Sequence, residues 1–259
     1  TLTGSIKTRF VDLGDYTLSI PVGTSPTRVA MTFARYPYKS AQSTSGGGST
    51  GNPFNINQFT GNAHASFGEV YKARVYLSGD TEKPNRLYFS SVLDSNGAIS
   101  WTPLVDYVDI NPGDGEVITG LKRFLLDLLV FKPNYIYRFR TSGLDPDPMI
   151  KVGTRNQESI IEGKKGLYFH HLTGFYRYQG GSVPTEISRP IADIVDAITV
   201  DQAMNIGAWK DNDHIYWSVG GNITVGSPKG STIFKNAVLR YTESSEAWTV
   251  YEYPYAIGR

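Results

Sequence analysis

The stretch KGLYFHHLTGFYRYQGG, residues 165–181, decides how the fold is read. Two runs of alternating aromatic and polar residues flank a turn near Thr173-Gly174, and Gly180-Gly181 stops the second run. A period of two, carried by Tyr and Phe and bounded by glycines, predicts an antiparallel hairpin. Working outward, the same unit recurs. MNIGAWKDNDHIYWSVGG (204–221) turns at Asp211-Asn212-Asp213, and KNAVLRYTESSEAWTVYEYP (235–254) near Glu243-Ser244-Ser245. LLVFKPN and YIYRFRTSG are split by Pro133-Asn134. VYKARVYLSGD (70–80) reads as one strand ending at Gly79-Asp80, answered by NRLYFSSVLD. VITGLKRFLL reads as a strand running to Asp127.

Tyr88, Tyr137, Tyr176 and Tyr216 hold similar places in these units. Their spacing matches the roughly 40–50 residues of a four-stranded propeller blade. A lone twisted sheet cannot bury both its faces, so a recurring hairpin unit needs neighbours. The chain is therefore expected to be all-β and propeller-like, with about five or six blades. A β-sandwich is the alternative. Residues 1–60 read as N-terminal strands plus a flexible loop, part of the same domain or a small β-domain of their own; residues 61–259 read as the propeller-like domain. KSAQSTSGGGSTGNP (39–53) cannot bury itself, and reads equally as a long surface loop or an engineered linker. One short helix is expected near 190–199. Ser188 is its predicted N-cap and Pro190 lies in its first turn. Ile191, Ile194, Val195 and Ile198 form one apolar stripe, with Asp193 and Asp196 facing water.

Composition narrows the function. The 259 residues are 40% hydrophobic, with 17 Tyr, 27 Gly and 14 Pro, enough for a real core. A net charge of +1 gives no basic surplus for nucleic acid. The absence of cysteine excludes disulfides, thiolate metal sites and a cysteine nucleophile. FLLDLLVF (124–131), the longest apolar run, is far shorter than the roughly 18 residues of a membrane helix. The chain begins at Thr1 rather than Met, as a processed product or a piece of something longer would.

The chemical motifs are weak. His170 and His171 are adjacent, so a strand sends them to opposite faces and they cannot chelate one metal together; His64 and His214 stand alone. Asp109, Asn111, Asp114 and Glu116 gather oxygen ligands, but the spacing breaks the EF-hand pattern, and a Pro-Gly-Asp-Gly turn accounts for them. Asp94, Gly97 and Trp101 miss the register of a sialidase Asp-box. Asp127 reads as a hairpin-turn residue rather than a buried base. Trp101, Trp209, Trp217 and Trp248 read as core or blade-interface residues before sugar platforms. No P-loop, nucleophile elbow or zinc-protease motif occurs. No catalytic, cofactor-binding or metal residue is expected.

Two segments carry a resemblance. NRLYFSSVLDSNGAISW and DINPGDGEVITGLKRFLLDLLVFKPNYIYRF, continued by GFYRYQGGSVPTEISRPIADIVDAI, resemble the propeller-type virion proteins of tailed bacteriophages. These are the tail-tube, nozzle and head-completion (stabilisation) proteins. The matched text covers about residues 85–198 and consists of turn glycines and core aromatics. The resemblance implies a non-enzymatic structural protein of the virion, at the tail or the head-to-tail junction. Its implied partners are other virion structural proteins and copies of itself in a ring, without membrane or specific nucleic-acid binding. Members of that family are often longer. A carbohydrate- or receptor-binding propeller of a tail tip, with a host-surface glycan as partner, is one alternative; a glycoside hydrolase is the second.

Overall fold

The computed structural model describes residues 7–12, 16–22, 32–35, 65–92, 106–140, 143–144, 150–227 and 230–255. The expected boundary near residue 60, the 39–53 loop, His64 and the Asp94–Trp101 segment lie outside them. The chain divides into two compact units, Thr1–Arg123 with Thr141–Gly143, and Phe124–Arg140 with Leu144–Arg259.

The all-β expectation holds. A three-stranded sheet joins β1 (Lys7–Asp12), β2 (Tyr16–Val22) and β3 (Thr32–Arg35). A four-stranded sheet follows, of β4 (Phe67–Tyr71), β5 (Arg74–Ser78), β6 (Arg86–Phe89) and β7 (Tyr107–Asp109). The next holds β8 (Gly120–Phe124), β9 (Asp127–Phe131), β10 (Ile136–Arg140) and β11 (Gly143–Leu144). The hairpin read first from sequence forms β13 (Leu167–His171) and β14 (Gly174–Tyr178), flanked by β12 (Ile161–Glu162) and β15 (Thr185–Glu186). In each of these sheets every strand pairs with the next in sequence. The last sheet breaks that rule. It orders β16 (Gly207–Asp211), β17 (His214–Ser218), β20 (Val238–Thr242) and β21 (Ala247–Tyr251). A separate hairpin, β18 (Ile223–Ser227) and β19 (Gly230–Phe234), is inserted between its second and third strands.

That insertion corrects the tyrosine period. Tyr88, Tyr137 and Tyr176 lie on the third strands β6, β10 and β14, but Tyr216 lies on a second strand, β17. The third-strand tyrosine of the last sheet is Tyr241, displaced along the chain by the hairpin. One predicted single strand is a hairpin, and another ends sooner than read. VYKARVYLSGD folds back at Lys72-Ala73, which take positive φ of 47° and 57° and join Tyr71 to its partner Arg74. VITGLKRFLL ends at Phe124, and Leu125-Leu126 form the turn, Leu125 at φ 54°. Two-residue turns of this twist favour Asn-Gly or Asp-Gly, so neither turn announces itself in the sequence.

The helical region is broken into short pieces rather than one helix over 190–199. A 3-10 turn at Arg189–Ile191 leads into α1 (Ala192–Asp196), and α2 (Val200–Ala203) follows. Ser188 makes no capping bond. Its hydroxyl instead accepts the Phe175 N–H at 3.0 Å, extending the sheet edge beyond β15. The working cap is Thr199, in a reciprocal capping box with Gln202 that starts α2. The apolar stripe is real: Val195 is buried, and Ile191, Ile194 and Ile198 pack beside it.

The second unit is layered. Leu167 and Phe169 of β13 enter one core with Phe124, Leu129, Phe131, Ile136 and Tyr178. Tyr168, alternating with them, enters another with Phe175, Ile215, Trp217, Leu239 and Tyr241. Every residue of β9 and of β13 is buried. Alternation in a sheet normally puts one face in water; here both faces are covered, so polar residues on these strands are buried as well.

Candidate functional site

The densest polar constellation lies at one edge of the second unit, where three turns meet. Glu243 directly follows β20 and is 1% exposed. Its two carboxylate oxygens accept the backbone N–H groups of Lys164 and Lys165 at 3.0 and 2.9 Å, and the Tyr168 hydroxyl at 2.8 Å. The Lys165 ammonium donates back to the Glu243 carbonyl oxygen. The tight turn between β12 and β13 allows this approach, because a Cβ on Gly163 would meet a Glu243 carboxylate oxygen at 2.7 Å. Around this clasp, Arg177 donates to Glu246 at 2.8 Å and Lys164 pairs with Asp213 at 3.6 Å. Burial, reinforced by the bond to Glu243, holds the Tyr168 hydroxyl well above the usual tyrosine range. The hydrogen bond from Arg177 holds Glu246 below the usual carboxylate range, and hydrogen bonding from Ser244 does the same for Asp213.

A second polar group lies inside. The Thr154 and Ser159 hydroxyls are 2.8 Å apart, and the Ser159 hydroxyl donates to the Asn156 carbonyl at 2.8 Å. The Asn156 amide donates to the Ile206 carbonyl at 2.6 Å, and the Trp217 indole to the Ser159 carbonyl at 3.2 Å. These bonds tie the segment before β12 to the last sheet. His170 adjoins this group, 2% exposed, with its ring 4.8 Å from Phe175 and Nε2 without a hydrogen-bond partner among the described residues. Burial, with a smaller contribution from His171, pushes its pKa down to about 3, so the imidazole is neutral.

The other residues singled out from sequence are dispersed. His171 lies on the opposite face of β13 from His170, sharing contacts with Thr173 and Asn134 at 2.8 and 3.4 Å. His214 contacts the Thr242 hydroxyl at 3.1 Å. Asp109 accepts two bonds from Arg86, at 2.8 and 3.0 Å, and Asp114 caps its own turn by accepting the Glu116 N–H. Asp127 is not a turn residue. It is the buried first residue of β9, and Arg140 donates to it at 2.8 Å. Trp217 is fully buried, and Trp248 stacks on it at 5.6 Å while donating to the Ile187 carbonyl. Trp209 is half-buried and stacks on Tyr216 at 5.2 Å.

Sequence reasoning missed Glu243, Asn156 and Ser159. Glu243 clasps groups nearly eighty positions away, a separation at which no spacing rule operates. All three buried carboxylates among the described residues serve donors of this same chain: Asp80 takes Tyr88, Asp127 takes Arg140, and Glu243 takes the turn. Among the described residues no three His, Asp or Glu side chains form a metal-holding group, and no helix is long and apolar enough to cross a membrane.

No family model matches the chain, and no curated protein matches it. A solved Bacteroides fragilis structure, of a protein described as exported, aligns over 95% of this chain and 76% of its own, with a TM-score of 0.45 and 8% identity. At that score the likeness carries no argument about fold or activity.

Proposed function

We propose that the chain is a non-enzymatic structural protein of a tailed-bacteriophage particle, in the tail or at the head-to-tail connection. In this reading its sheets stand as propeller blades about a shared axis. The observation that carries the build is β13, whose alternate side chains enter two separate cores. A two-layer sandwich leaves each sheet an outer face toward water; radial stacking covers both faces of a blade. The virion assignment rests on the resemblance over residues 85–198. The buried carboxylates favour a structural role, because each is already committed to a donor within the chain.

The mechanism is geometric. A rigid body presents loops and edges to neighbouring copies and to other virion proteins, and modest contacts add up through symmetry. Mass spectrometry of purified particles should find the chain at several copies per particle, and labelled electron microscopy should locate it at the tail or neck. Its absence from particles, or turnover of a glycan by the purified chain, overturns the reading.

The half-buried Trp209–Tyr216 stack favours a second reading, in which a tail-tip propeller binds a host-surface glycan. Calorimetry against host glycans checks it, and Trp209→Ala should then abolish the binding heat.

A further inference from the structure

We propose that one face of the last sheet binds an acidic saccharide, a sugar carrying a carboxylate, and that Arg240 is the group that reads the charge. This rests on the glycan reading of the Trp209–Tyr216 stack and names the chemical class and the residue that selects it. The two faces of the sheet differ. Ile215, Trp217, Leu239 and Tyr241 enter the core shared with Tyr168. The residues that alternate with them do not belong to that core. Register sets Trp209, Tyr216, Arg240 and Thr249 directly opposite one another, one from each of the four strands. Strands about 4.8 Å apart make this row about 14 Å long, the length of a short oligosaccharide.

Every residue of the row is half-buried, between buried Val238 on one side and exposed Asp211 and Ala247 at the turns on the other. A ligand therefore approaches from the turn side. Trp209 and Tyr216 supply flat apolar surface, stacked at 5.2 Å with their planes 4° apart. Such rings join an apolar body to a polar tip, which suits a sugar with C–H faces and hydroxyl edges. Neither the Trp209 indole N–H nor the Tyr216 hydroxyl is hydrogen-bonded to a described residue.

Arg240 sets the charge of the ligand. Arg138, Arg140, Arg177 and Arg189 of the same unit each lie within 3.7 Å of a carboxylate. Arg240 has no carboxylate beside it among the described residues. Its guanidinium donates to the Thr249 hydroxyl at 3.1 Å and lies 5.1 Å from the centre of the Tyr251 ring. Those contacts hold it in place without neutralising it, and its Nε is buried with no hydrogen-bond partner among the described residues. A guanidinium in that state favours an anion, and a carboxylate is the planar group its donors match. A nucleic-acid strand suits the row less well. It needs cations repeated along its backbone, and the row holds one.

Calorimetry of the full chain tests this with two matched pairs, sialyllactose against lactose and oligogalacturonate against its methyl ester. In at least one pair the acidic member should bind about tenfold or more tightly than the neutral one, the step that one charge-assisted bond supplies. The pair that responds identifies the acid as sialic or uronic. Salt should weaken binding of the acidic member only. Arg240→Gln should erase the preference and Arg240→Lys should keep part of it. The wild-type ratio needs no variant, so it decides even if Arg240→Gln fails to fold. Equal binding of acidic and neutral members, or a preference that survives in folded Arg240→Gln, overturns the proposal and leaves the glycan reading intact. Binding of none of the four probes overturns both. Tighter binding of an oligothymidylate than of any saccharide overturns the proposal in favour of nucleic acid.

Discussion

β13 and β19 are both five-residue strands of the second unit, yet they live in opposite surroundings. β13 has a strand on each side and a core on each face, and even its two histidines are buried. Among the described residues β19 has one strand beside it, and four of its five residues are exposed. Extended conformation is common to both, so it is the number of neighbours that sets what each residue contributes. In β13 a polar side chain must find a partner inside the protein or be neutral; in β19 water serves.

The contrast is most directly broken by truncation. Phe169→Ala removes a ring held between Phe131 and Tyr176 and should cost about 3–5 kcal/mol in urea unfolding. A loss below about 1 kcal/mol would mean that the core beside β13 is loosely packed. Glu243→Ala should come next. It strands two backbone N–H groups and the Tyr168 hydroxyl, each orphaned donor costing about 1–3 kcal/mol, and Glu243→Gln should recover part of the loss.

Acid sharpens the comparison. His170 is neutral when folded, its pKa lowered to about 3, while the unfolded chain binds the proton near its ordinary value of 6.5. The stability from keeping it neutral is therefore complete above about pH 6.5 and lost as pH falls toward 3. Between pH 6 and 4 the folding equilibrium should weaken by roughly tenfold per unit. Unfolding curves of His170→Leu, which has no proton to gain, should be flatter over that window, and equal slopes in the two proteins would refute the assignment. The smallest effect belongs to the surface. Ile233→Ala in β19 and Leu126→Asp at the exposed β8–β9 turn should each change stability by less than about 0.5 kcal/mol.

Much of the fold was legible in local pattern. Alternating aromatics located the β13–β14 and β16–β17 hairpins, and Pro133-Asn134, Asp211-Asn212-Asp213 and Glu243-Ser244-Ser245 marked real turns. The hidden turns, Lys72-Ala73 and Leu125-Leu126, lack such residues; cross-strand pairing holds Lys72, Ala73 and Leu125 in left-handed backbone at a local cost. Ser188 read as a cap because a serine before Arg-Pro often is one, but the nearby Phe175 N–H claimed its hydroxyl. Tyr216 stood in for Tyr241 because an inserted hairpin stretches the period without leaving a periodic trace.

By itself the sequence determined that this chain forms antiparallel β-structure, where most hairpins turn, and that thiol chemistry is excluded. Those properties follow from residues only a few positions apart, whose preferences act before the chain is folded. Tertiary structure alone decided that β13 would be covered on both faces, that Glu243 would clasp a distant turn, and that most of β19 would stay exposed. Burial and hydrogen-bond satisfaction depend on which distant segments arrive beside a residue, and that information is created only when the sheets stack.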